Sequence, residues 1–172
     1  MIITSSEILK AIKRGDIIID PFDMSRLNPN SYNLRLHNEL YVLKEGCLDM
    51  KQVCQYDVLT ISEEGLILEP NRLYLGRTVE HTTAKKYVPL IEGRSSIGRL
   101  GIFIHATAGF GDVGFSGYWT LEISVIQPIR IYPFVEIAQI YFHTVKGKIV
   151  PYQGKYQNNR GIQVSGIYKE FQ

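Results

Sequence analysis

Short runs of β-branched and aromatic residues recur along this chain, separated by Gly, Pro, Asn or charged clusters. They fall at residues 40–43, 58–61, 66–68, 73–79, 87–91, 102–105, 118–126, 129–132 and 137–142. Each is too short for a typical helix and too apolar for a loop, so the pattern predicts strands. Within 118–126 the period is two. Leu121, Ile123 and Val125 point one way, and Thr120, Glu122 and Ser124 the other. Residues 31–36 alternate similarly around Tyr32, Leu34 and Leu36, after a turn at Asn28-Pro29-Asn30.

The N-terminus follows a different period. Ile8, Leu9 and Ile12 share one helical face, Thr4 and Glu7 fit a capping box before them, and Gly15 supplies the stop. Ile17-Ile18-Ile19 then reads as a strand ended by Asp20-Pro21, and a second short helix fits within 95–100. The expectation is an all-β fold with a short N-terminal helix, built as a sandwich or barrel-like domain.

At 172 residues the chain is expected to form a single domain over 1–172. Residues 147–172 depart in composition, being rich in Gly, Gln, Asn, Tyr and Lys. They read either as a frayed tail or as a flexible segment that closes over a bound anion through Lys155. A net charge of +2 gives no reason to expect a nucleic-acid or membrane partner. The opening MIITSSEILKAIKRG lacks the apolar stretch of a signal peptide, and no run approaches a membrane span. A cytoplasmic setting is expected. Cys47 and Cys54 are not spaced as a metal pair.

Candidate chemistry concentrates between residues 92 and 122. Gly93-Arg94-Ser95-Ser96 follows an apolar strand, and Arg99 lies about one helical turn on. Glycine permits close backbone approach, serine hydroxyls and amides donate, and arginine donates bidentately to phosphate oxygens. The plain alternative is a capped turn with solvated arginines. The loop Ala108-Gly109-Phe110-Gly111-Asp112-Val113-Gly114-Phe115 could bring backbone against a base or sugar while Asp112 accepts from a hydroxyl; equally, Asp112 could be a turn residue. Glu122, on a polar stripe beside a core face, is a candidate proton carrier or an ordinary strand glutamate. The four histidines, at 37, 81, 105 and 143, are scattered.

Together these stretches resemble the dCTP deaminase/dUTPase superfamily. GRSS resembles its phosphate-binding motif, HATAGFGDVGFSG its nucleoside pocket, WTLEI the strand with its proton-shuttle glutamate, and PYQGKYQNNRG its closing loop. LNPNSYNLRL near the N-terminus also fits. The resemblance runs through nearly the whole chain in order. It implies a distorted jelly-roll (a dUTPase-like β-clip) assembled as a homotrimer, with each site built across a subunit boundary.

It also implies roles. Glu122 would shuttle the proton, with Ser95 and Arg99 positioning water. Arg94, Ser96, Ile97 and Gly98 of the same turn, with Tyr152, Lys155 and Asn159 of the tail, would line the triphosphate. Asp112 would meet the deoxyribose 3′-hydroxyl, Thr120 and Leu121 would read the base edge through their backbone, and Gln139 would lie near sugar or phosphates. Mg²⁺ would be held through the phosphates rather than by a protein metal site. No zinc is expected, because the HxE…PCxxC signature of zinc deaminases is missing.

The pocket motif reads His105-Ala106-Thr107-Ala108-Gly109-Phe110, which resembles members that both deaminate dCTP and cleave its triphosphate to give dUMP. There Gly109 would let the loop approach, and Asp112 could activate a second water. The deaminase-only reading, releasing dUTP, and a non-catalytic nucleotide-binding regulator are the alternatives; a carbohydrate-binding jelly-roll is a further one. dTTP is an inhibitor consistent with the resemblance. Against the family pattern, Asn159 stands for Gln, Gly166 for Arg, Val113 for Pro and Asn33 for Asp.

Overall fold

The computed structural model describes residues 1–172. Eleven strands and two short α-helices carry the chain. Helix α1 (Ser5–Arg14) leads into β1 (Ile17–Asp20), β2 (Tyr32–Arg35), β3 (Glu39–Leu43), β4 (Tyr56–Thr60), β5 (Leu66–Leu68), β6 (Tyr74–Ala84) and β7 (Tyr87–Gly93). Helix α2 (Ser95–Gly98) then precedes β8 (Ile102–Phe103), β9 (Ser116–Val125), β10 (Ile129–Ile131) and β11 (Glu136–Thr144). A 3₁₀ turn at Ile167–Phe171 ends the chain.

The large sheet runs β4-β3-β6-β9-β8, with β1 also paired to β6. A second sheet, β2-β11-β7, and the small pair β10-β5 complete the jelly-roll. Every named pairing is antiparallel. Inward side chains of the sheets, among them Leu34, Leu40, Ile91, Leu121, Ile123, Ile140 and Phe142, fill one core with Ile8 and Ala11 of α1. The apolar period-two pattern forces this arrangement, because each strand has one face to hide.

Gly15 ends α1 in the left-handed conformation at φ 71°, as its sequence position predicts. The capping box does not form. Thr4 is the N-cap residue, but its Oγ1 lies 3.0 Å from Ser6 Oγ, and Glu7 instead accepts from Lys10 Nζ at 2.7 Å. Strand β6 runs five residues beyond the expected end at residue 79, to Ala84. In this added stretch Glu80 is fully buried, and its carboxylate accepts from Arg35 Nε at 2.7 Å and from the Arg35 amide at 2.8 Å. A buried carboxylate needs such a partner. The register of β6 against β9 shifts between Arg77 and His81, beside this buried group.

Leu34 is fully buried on β2. Leu34→Ala is expected to lower unfolding stability by roughly 2–5 kcal/mol, the usual cost of such a cavity, as read by denaturant titration.

Candidate active site

Strand β9 divides core from solvent. Gly117, Trp119, Leu121, Ile123 and Val125 are buried, whereas Ser116, Tyr118, Thr120, Glu122 and Ser124 alternate outward. Its outward face forms one wall of an open cavity of about 380 Å³. Asp112, Thr120, Glu122, Tyr152 and Asn159 all line it. Leu121 is 1% exposed, so only its backbone could read a ligand. The apolar walls come from Phe110, Phe115, Trp119, Leu73 and Leu75. A cleft with apolar walls and a few converging polar groups suits a nucleoside-sized ligand.

Glu122 is oriented on its approach side. Its Oε2 accepts from the Ala106 amide at 2.9 Å, and its own amide donates to Ile104 O at 2.9 Å. The loop carrying Ala106 is in turn laced to β7, where the Ile91 amide donates to Gly109 O at 2.8 Å and the Gly111 amide to Pro89 O at 2.9 Å. This closeness depends on missing side chains. A Cβ on Gly109 would lie 2.7 Å from Ile91 O, and one on Gly111 would lie 2.5 Å from the Trp119 ring. Trp119 itself is fixed by its Nε1, which donates to Thr82 Oγ1 at 2.9 Å.

The C-terminal segment lies across the same strand. Gln157 donates to Gly114 O at 2.8 Å and accepts from the Ser116 amide at 2.9 Å. Asn159 Oδ1 accepts from the Tyr118 amide at 3.2 Å, and the Gln163 amide donates to Thr120 Oγ1 at 3.0 Å. Tyr152, Tyr156, Gln163, Val164 and Ser165 thereby become cavity lining. Sequence reasoning missed Tyr156 and Gln163 as site residues, along with Tyr118 and Trp119. The tail's amide-rich composition is the only signal that could have pointed to backbone clamping. Lys155 lies outside the cavity lining, and its ammonium is paired with the Glu170 carboxylate.

The glycine–serine–arginine turn stands apart in a single chain. None of residues 94–99 lines the cavity. Arg94 is the N-cap residue of α2, with Ser95, Ser96, Gly98 and Arg99 exposed and Ile97 half-buried beside the core. Gln139 belongs to this second group: its Oε1 accepts from Ser31 Oγ at 2.9 Å and its Nε2 donates to Gly93 O at 3.4 Å. The predicted residues therefore fall into two clusters on one chain, around Glu122 and around Arg94.

The chain is matched over residues 2–145 by the family model described as dCTP deaminase-like. It belongs to the dCTP deaminase-like family. A Hathewaya histolytica protein named dCTP deaminase, dUMP-forming, is 59% identical over 173 aligned positions, covering 100% of both chains. A protein of the same name from Clostridium beijerinckii is 61% identical, covering 100% of this chain and 99% of its own. Among solved structures, the 2′-deoxycytidine 5′-triphosphate deaminase of Agrobacterium tumefaciens superposes with a TM-score of 0.66 at 20% identity. That match covers 83% of this chain and spans 48% of the other, and it establishes the shared fold. The expected family and jelly-roll architecture are thus borne out. The family match stops before the C-terminal segment that clamps β9.

Gly109→Ala is expected to push the pocket loop away from β7. The measurement is hydrogen exchange at Ala106, whose amide should exchange faster once it loses Glu122.

Two histidines set a pH dependence. Burial pushes His37 below its ordinary value, helped by Arg77, and burial does the same to His81. The folded state therefore favours the neutral rings, while the unfolded chain takes up protons near pH 6.5. Stability is full above that pH and falls as pH drops through it. The thermal midpoint is expected to be lower at pH 5.5 than at 7.5, and a His37→Gln, His81→Gln double variant should show a smaller difference.

Proposed function

We propose that this protein deaminates dCTP hydrolytically and cleaves its triphosphate, giving dUMP, ammonia and diphosphate. The observation that carries the reading is a carboxylate, Glu122, held at the wall of a nucleoside-sized cavity by a backbone donor. The names borne by relatives about 60% identical over the full length support the same chemistry.

In this reading Glu122 takes a proton from water as its oxygen attacks C4 of cytosine, and delivers that proton to N3. It next moves a proton to the amino group, which leaves as ammonia, and uracil remains. Ser95 and Arg99 position the water and steady the tetrahedral intermediate. Asp112 receives the deoxyribose hydroxyl and serves the second water, which attacks the α-phosphorus and releases diphosphate. Arg94, Ser96, Tyr152 and Lys155 hold the triphosphate. Lys155 must exchange its Glu170 partner for a phosphate oxygen to do so.

Because the Arg94 turn is outside the Glu122 cavity of its own chain, the reading requires a second copy to supply one cluster. The exposed apolar side chains of Leu100, Phe103 and Ile126 beside that turn offer a surface for it. A homotrimer with shared sites is the proposed assembly. No three His, Cys, Asp or Glu side chains gather as a metal-holding group, so the donor set suits Mg²⁺ carried on the phosphate oxygens. Bound there, the ion would offset the charge of the triphosphate. dTTP, which shares the triphosphate and deoxyribose, is the proposed inhibitor.

Ion-exchange analysis of products from dCTP and Mg²⁺ tests the reading. dUMP with diphosphate and ammonia is expected; dUTP alone would mean a deaminase only, and no ammonia would leave a nucleotide-binding regulator. Glu122→Gln should abolish ammonia release while changing nucleotide affinity by less than about tenfold, or ~1.4 kcal/mol.

A further inference from the structure

The carboxylate of Glu136 is absent from every role above, yet it sits at the centre of the polar network behind the Arg94 turn. Arg94 Nη1 donates to Glu136 O at 3.0 Å and lies 3.1 Å from Glu136 Oε2. Both acceptors belong to one residue, and both engage one nitrogen of the guanidinium. Nε and Nη2 of Arg94 make no hydrogen bond within the chain. An arginine carries five N–H donors in a rigid plane. Fixing one nitrogen therefore fixes the direction in which the others point.

Glu136 is itself anchored. Its Oε2 accepts from Asn33 Nδ2 at 2.8 Å, and its Oε1 lies 3.6 Å from Arg26 Nε. Asn33 Oδ1 in turn accepts from Asn28 Nδ2 at 2.8 Å. The register of β11 against β2 shifts between Glu136 and Ala138, which interrupts the ladder where the Glu136 carbonyl serves Arg94. Gly93, the neighbour of Arg94, is held by Gln139 of the same strand. Strand β11 thus grips the start of the turn at two successive residues. The Arg94 and Glu136 side chains are only 34% and 30% exposed, so solvent weakens their pairing less than it would a surface pair.

We propose that Glu136 is a positioning residue for Arg94, orienting the free edge of its guanidinium towards a phosphate of the nucleotide. The inference rests on the reading that the Arg94 turn takes the triphosphate. A carboxylate placed there merely by chance would act in the opposite direction, repelling the phosphates. The two roles therefore differ in sign.

The test compares steady-state kinetics of the full chain on dCTP, with inorganic tripolyphosphate as competitor. Glu136→Gln is expected to raise KM for dCTP about tenfold and to weaken tripolyphosphate inhibition in parallel, with kcat within about twofold. Glu136→Asp should recover part of the loss. In an Arg94→Ala background Glu136→Gln should change KM no further, because the arginine it positions is gone. Should Glu136→Gln unfold, Asn33→Ala supplies the second variant, with a smaller KM rise in the same direction. Unchanged or lowered KM in these variants, or additive effects with Arg94→Ala, would overturn the positioning role while wild-type turnover keeps the proposed function. Wild-type protein that releases no ammonia from dCTP overturns the function and this inference together.

Discussion

The pairing of β6 with β9 decides which side chains this protein hides and which it presents. Because side chains alternate along a strand, a slip of one residue would put Glu122 into the core and Leu121 into the cavity. The register is held by more than the ladder. The Trp119 amide donates to Thr78 Oγ1 at 3.1 Å and its indole to Thr82, tying both edges of the residue to β6. Gly76 adds a steric lock, since a Cβ there would lie 3.0 Å from Leu36 and Leu40 and 3.1 Å from Ile123. Apolar burial sets the face, and these contacts set the position along it.

From that fixed strand, close approach builds the cavity on both sides. Gly109 and Gly111 bring the pocket loop against β7 and Trp119, so that the Ala106 amide meets Glu122. On the opposite side Gln157 and Asn159 use their amides on backbone groups of the loop and β9. Gly117 makes room for this, since a Cβ there would be 2.7 Å from Asn159 Nδ2. The amide of Asn159 is thereby engaged in holding the tail. Tyr152 and Tyr156 follow from that docking as lining residues.

The charges are organised by a different logic. Arg94, Arg26 and Arg35 each have a carboxylate within reach, from Glu136, Asp23 and Glu80. Lys155 is likewise paired, with Glu170. Ser95, Ser96, Gly98 and Arg99 of the turn stand open. A polyanion arriving at such a surface meets donors already oriented by partners, which lowers the entropy lost on binding.

Much of the fold was legible before any coordinates. The period-two runs marked the strands because each has one face to bury, and Gly15 marked the end of α1 because only glycine adopts that conformation cheaply. The motif block at 92–122 carried the family resemblance and the candidate side chains. What escaped was long-range. The expected strand stopped at residue 79, before Glu80, because the Arg35 that neutralises Glu80 lies on another strand. Glu136 fell just outside the expected strand at 137–142, and its partners gather only when β11 meets β7 and β2. The resemblance implied sites shared between subunits, but which residues fall in the Glu122 cluster and which in the Arg94 cluster was equally invisible. Local pattern determines which residues share a face, because side chains alternate along a strand. Which charges meet is decided only when distant strands pair, because hydrogen bonds and ion pairs act over a few ångströms in space, whatever the separation in sequence.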